Sequence, residues 1–186
     1  MRLIFKIKII FLLIFTGMSS SYTQEIKWIT LEDAVSLQET SPRNIIMDVY
    51  TNWCGPCKML DRNTFSNKDV IKYINENFYA VKFNAEGNDI VNFKGYTFEN
   101  PNYDPAKAKR RNSSHQLTQA LRVSAFPTII FLDKSSDLIH RLRGYQTPKQ
   151  LEVYLKLFTD ENYKNYQSQE DFNKFFQNFV YEFDSK

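Results

Sequence analysis

Two histidines, two cysteines, five glycines and six prolines are all that this 186-residue chain carries of the residues that build metal centres, disulfide frameworks and structureless tracts. Two cysteines are too few for a disulfide scaffold or a four-cysteine zinc site. The scarcity of glycine and proline excludes collagenous and low-complexity classes. No apolar run approaches the roughly 20 residues that a membrane-spanning helix needs, which excludes a polytopic membrane protein. A charge excess is also missing. Lys and Arg number 24 against 21 Asp and Glu, and the surplus resides in Arg2, Lys6 and Lys8, within the first 24 residues. The rest of the chain is balanced, so it has no global electrostatic reason to seek nucleic acid or anionic lipid. What is present is 42% apolar and 16% aromatic residues, enough for one packed domain with room for an insertion or a terminal addition.

The N-terminus orders three positive charges, an apolar run from Ile9 to Phe15, and small residues at Gly17, Ser19, Ser20 and Ser21. That order predicts a secretory signal peptide over 1–24, with an uncleaved anchor as the alternative. No cysteine lies near the cleavage region, so lipid attachment at the mature end is not expected. Export would carry the chain to the periplasm or cell envelope, where disulfides persist, and membrane contact is expected only through this segment.

Beyond it, apolar spacing predicts a helix over Trp28–Ser41, with Thr30 as N-cap and Pro42 as its stop. A buried strand follows over Asn44–Tyr50, then a helix from about Cys54 through Asp61 and another over Asp69–Asn77. Strands are expected over Tyr79–Asn84, Thr128–Leu132 and Leu138–Arg143, the last two joined by a turn at Asp133–Asp137, and a helix over Lys149–Phe158. The class is α/β, a central mixed sheet flanked by helices. Residues 25–160 would form the domain, interrupted by a polar insertion at about 86–114, whose residues 86–111 read as a long loop. Residues 161–186 would form a helical extension. There Phe172, Phe175, Phe176, Phe179, Val180 and Phe183 make one aromatic stripe over 169–183, either packed on the domain or open to a partner.

The chemistry concentrates in Trp53, Cys54, Gly55, Pro56, Cys57 and Lys58, between the end of a core strand and the start of a helix. Two cysteines separated by two residues at a helix start can close a small ring or part as a dithiol with little backbone movement. Cys54 lies where unpaired N–H groups and the helix dipole stabilise an anion, which lowers its thiol pKa and makes it the attacking sulfur. Cys57, one turn inward and expected to be the more buried, is the resolving thiol. Pro56 loses nothing by lacking an N–H in the first turn. An inert disulfide would stabilise little across so short a loop. Zinc would need further ligands, and only His115 and His140 remain, so no metal is expected.

WCGPCK after the strand IIMDVY resembles the thioredoxin superfamily motif, and the likeness runs over roughly Ile45–Phe158. The resemblance implies a thioredoxin fold and a thiol-disulfide oxidoreductase whose only redox group is its own dithiol. Asp48 matches the buried acid that assists proton transfer at the resolving cysteine, although a core-edge Asp bonded to backbone is the alternative; Lys82 matches the lysine near that acid. Phe126 and Pro127 match the loop whose cis proline faces the cysteines, with Phe126 departing from the smaller residues usual there, and Gly144 matches a late glycine on the same surface. With Trp53, Gly55 and Pro56 these would contact substrate. The Gly-Pro pair is associated with reduction of protein disulfides, which in an exported protein implies a membrane-bound electron donor. A disulfide oxidase or isomerase, or a non-catalytic module that binds a partner or Cu(I), are the alternatives. The insertion, with Lys107, Lys109, Arg110 and Arg111, departs from a minimal member of the superfamily. Ser113 and Ser114 are expected to cap the helix after it, and His115 to satisfy a local backbone bond.

Overall fold

A strand such as Asn44–Tyr50, apolar on both faces from Ile45 to Val49 but for one carboxylate, is satisfied only with neighbours on both sides and cover above and below. In the computed structural model, which describes residues 24–159, 161–166 and 168–185, it is the central strand β2. All but the last residue of the expected signal segment lies outside the described residues. Numbered in chain order, β1 is Trp28–Ile29, β3 Phe78–Asn84, β6 Thr128–Leu132 and β7 Leu138–Arg143, arranged β1-β3-β2-β6-β7. β1, β3 and β2 run parallel, while β6 is antiparallel to β2 and β7 antiparallel to β6.

Alternation along the strands divides the core in two. Ile46, Ala80, Ile129 and Phe131 face Leu60 of α2 (Gly55–Asn63), Val70 and Ile74 of α3 (Lys68–Asn77), and Leu151, Leu155 and Phe158 of α5 (Pro148–Thr159). Ile45, Met47, Val49, Val81 and Ile130 face Leu31 and Ala34 of α1 (Leu31–Thr40) and Leu117 of α4 (Gln116–Ala120). In β2, Asp48 shares its face with Ile46, and β2–β3 register sets it directly opposite Lys82.

Four expectations are corrected. The first helix starts at Leu31, because Thr30 Oγ1 accepts from the Asp33 N–H at 3.1 Å and the preceding residues pair with β3. Residues 86–111 are not one loop: β4 (Val91–Phe93) and β5 (Tyr96–Phe98) form a hairpin. Its turn residues Lys94 and Gly95 take φ of 52° and 78°, as a two-residue hairpin turn requires. α4 is capped by neither Ser113 nor Ser114 but by His115, whose Nδ1 accepts from the Leu117 N–H at 3.0 Å. The aromatic stripe does not ride one helix. α6 (Gln169–Gln177) starts with a capping box at Ser168 and Asp171 and stops before Asn178. Phe183 turns back into the core beside Tyr73, held because the buried Glu152 carboxylate accepts from the N–H groups of Glu182 (2.7 Å) and Phe183 (3.0 Å).

Candidate active site

The turn leaving β2 lets the Thr51 carbonyl accept from the Cys54 N–H at 3.2 Å. Cys54 then becomes the N-cap of α2, and its Sγ accepts from the Cys57 N–H at 3.1 Å, with Pro56 in the first turn. Cys54 and Cys57 are joined as a disulfide, their Cα atoms 5.3 Å apart. In this oxidised form Cys54 is 3% exposed and Cys57 2%, the expected order but by a margin too small to tell the two apart. Accessibility therefore does not distinguish the sulfurs here. Position on the helix does, because the Cys54 sulfur is the one that receives an N–H from the α2 N-terminus.

Asp48, 1% exposed, lies on the strand that feeds this loop. Lys82 Nζ stands 3.5 Å from Asp48 Oδ2 and is hydrogen-bonded to Asp61. Asp61 follows Cys57 by four residues on α2, so it shares the helix side of the inner cysteine and draws the lysine toward it. The ammonium is also 5.0 Å from the Trp28 ring centre and 5.3 Å from that of Tyr50. Asp48 Oδ1 has no hydrogen-bond donor among the described residues. Burial pushes the Asp48 pKa up to about 7; Lys82 works against that rise and Asp61 adds to it. A carboxyl so poised can hold or release a proton near neutral pH.

Around the disulfide, the Phe126–Pro127 peptide is cis and the Pro127 carbonyl accepts from the Gly144 N–H at 2.8 Å. Gly144 has a φ of 86°, which favours glycine at that turn. Trp53 meets Phe126 edge-to-face, ring centres 6.2 Å apart. Gly55 has open space where a Cβ would stand. The expected site residues thus fall into two groups, Asp48 with Lys82 beneath the sheet face that α2 covers, and Trp53, Phe126, Pro127 and Gly144 around the cysteine loop.

Sequence reasoning missed Asp61 and Glu86. The i+4 spacing from Cys57 is the signal that could have found Asp61. Glu86 is buried just past β3 and accepts from Trp53 Nε1 at 2.7 Å and from the Asn112 N–H at 2.8 Å, contacts that no local pattern announces. The histidines are engaged elsewhere. His115 Nε2 pairs with the Asp89 carbonyl at 2.8 Å, and His140 stacks on Tyr154.

Comparison with known proteins places these features. The thioredoxin-like domain family matches over residues 31–159. The thiol-disulfide oxidoreductase ResA of Bacillus thuringiensis subsp. konkukian is 24% identical over 125 residues, covering 67% of this chain and 69% of the relative. The thiol:disulfide interchange protein DsbD of Pectobacterium atrosepticum is 22% identical over 149 residues, covering 77% of this chain but 22% of that longer protein. Among solved structures, a thioredoxin-fold protein from Helicobacter pylori aligns with a TM-score of 0.57 at 25% identity, over 72% of this chain and 79% of that one. A thioredoxin from Thermus thermophilus aligns at 0.56 with 14% identity, over 78% and 98%, a likeness of fold alone.

Proposed function

The chain belongs to the thioredoxin-like family and has the thioredoxin fold, and from that premise we propose that it is a thiol-disulfide oxidoreductase that reduces protein disulfides in the cell envelope. The observation that carries this reading is the bonded Cys54–Cys57 pair at the α2 N-terminus, with the Cys54 sulfur accepting the Cys57 N–H. In the reduced protein the Cys54 thiolate attacks one sulfur of a substrate disulfide; that S–S bond breaks, a mixed disulfide forms, and the first substrate thiolate leaves. Cys57 then attacks Cys54, closing the intramolecular disulfide and releasing the second substrate thiolate. Two electrons pass from the protein dithiol to the substrate. Asp48 takes the Cys57 proton as that thiol becomes a nucleophile, and Lys82, shared with Asp61, keeps the ionised carboxylate tolerable while it does so.

Trp53, Gly55, Pro56, Phe126, Pro127 and Gly144 form the surface on which the substrate lies, and the dithiol is the only redox group required. The signal-like N-terminus supports an envelope location, and there the oxidised pair needs a membrane-bound donor to recharge it. The likeness to relatives named thiol-disulfide oxidoreductase and thiol:disulfide interchange protein supports the reaction class. The test is insulin reduction by the chain and its Cys54→Ser and Cys57→Ser variants. Both variants lose turnover, and Cys57→Ser accumulates a covalent adduct with insulin. Turnover that survives both changes overturns the reading, and a reduction potential well above −200 mV reverses its direction to oxidation.

A further inference from the structure

The segment between β3 and α4 is fastened against the cysteine loop at several points. Asn52 Nδ2 donates to the Ala108 carbonyl at 2.8 Å, Glu86 ties Trp53 to Asn112, and the Arg111 guanidinium lies over the Trp53 ring, 4.8 Å from its centre. These fastenings hold residues 107–111 next to the residue that precedes Cys54. Within that short stretch stand Lys107, Lys109, Arg110 and Arg111, all exposed. Lys107 is paired with Asp104 at 3.2 Å. Among the described residues, Lys109, Arg110 and Arg111 have no carboxylate within ion-pair distance.

Beyond its first 24 residues the chain has equal numbers of acidic and basic side chains, so this concentration is local. Glu86, the carboxylate bonded to the cysteine loop, is buried and occupied by Trp53 and Asn112. Like charges fixed side by side repel, and the repulsion is relieved when a counter-charge arrives from outside.

We propose that this anchored segment selects substrates: it receives polypeptides whose disulfide is flanked by aspartate or glutamate, holding the acidic flank against Lys109, Arg110 and Arg111 while Cys54 attacks the neighbouring sulfur. The proposal rests on the redox reaction above and names its substrate class. Two effects converge. Opposite charge speeds encounter in a salt-dependent way. An acidic flank also raises the pKa of its own cysteine and so weakens it as a leaving group, and cations beside it offset that handicap.

The experiment uses two peptides of equal length with one internal disulfide each, flanked by glutamates or by lysines, together with neutral hydroxyethyl disulfide. In low salt, kcat/KM for the acidic peptide exceeds that for the basic one by about tenfold, and the gap closes at about 0.5 M salt. Lys109→Ser with Arg110→Ser narrows the gap, and Lys109→Glu with Arg110→Glu inverts it, while hydroxyethyl disulfide is reduced at the same rate by all three proteins. Equal use of both peptides by a protein that reduces hydroxyethyl disulfide overturns the substrate assignment and leaves the redox reading standing. Failure to reduce hydroxyethyl disulfide and both peptides overturns the redox reading itself. Salt-sensitive binding to phosphatidylglycerol vesicles that the double substitution abolishes, without discrimination between peptides, assigns the cations to a membrane surface and overturns the proposal.

Discussion

Asp48 and Glu152 are both carboxylates shut away from solvent, 1% and 0% exposed, and they are equipped in opposite ways. Glu152 accepts two backbone N–H groups from the returning C-terminal segment and pairs with Lys156 at 2.8 Å. Asp48 has one ion pair at 3.5 Å, shared with Asp61, and an oxygen without a donor among the described residues. Burial alone therefore does not mark a reacting group. A buried acid whose oxygens are all engaged clamps structure, while one left short of partners stays close to protonation and can exchange a proton.

Breaking the clamp has the largest expected effect. Glu152→Ala removes the acceptor for Glu182 and Phe183 and releases the tail, so urea unfolding should show a loss of about 3–5 kcal/mol, whereas the surviving folded protein keeps its disulfide-exchange rate. Asp48→Asn should do the reverse on both counts. Its pKa is raised in the folded protein from an ordinary 3.8 to about 7. The stability this contributes is therefore full below pH 4, falls as pH rises, and is gone above about 7. Removing the charge should stabilise the protein at pH 8 by on the order of 2–4 kcal/mol, with the advantage vanishing at pH 4. The same variant should slow resolution of the mixed disulfide by about 100-fold at neutral pH and flatten its pH profile; stopped-flow kinetics of the mixed disulfide formed with Cys57 intact reads this directly. The smallest change is Asp61→Asn. Asp61 raises the Asp48 pKa and competes for Lys82, so its neutralisation should move the midpoint of the resolution profile to lower pH with little change in the plateau rate.

The two carboxylates also show what a sequence discloses. Asp48 was legible because the residues around it, a core strand running into a cysteine pair, resemble the thioredoxin superfamily, which has a buried acid at that place. The strand itself and the helix that starts at the cysteines were legible because each is written in neighbouring residues. Glu152 reads as the polar side of an ordinary helix, because its partners come from a segment 30 residues away. Glu86 and Arg111 meet Trp53 only after the insertion folds, so their contact has no local signature. The hairpin in the insertion was hidden by surrounding Asn, Asp and Pro, although Val91 and Phe93 alternate with polar residues just before Lys94-Gly95. At two residues, β1 is too short for any periodicity to reveal.

The most direct trial of the account is to reduce the protein fully, expose it briefly to iodoacetamide at pH 7, and locate the label by mass spectrometry. The sulfur that receives the helix N-terminal N–H should react first, giving a single adduct on Cys54 with Cys57 unmodified and subsequent disulfide exchange abolished. Preferential labelling of Cys57, or a protein that leaves both thiols untouched, contradicts it.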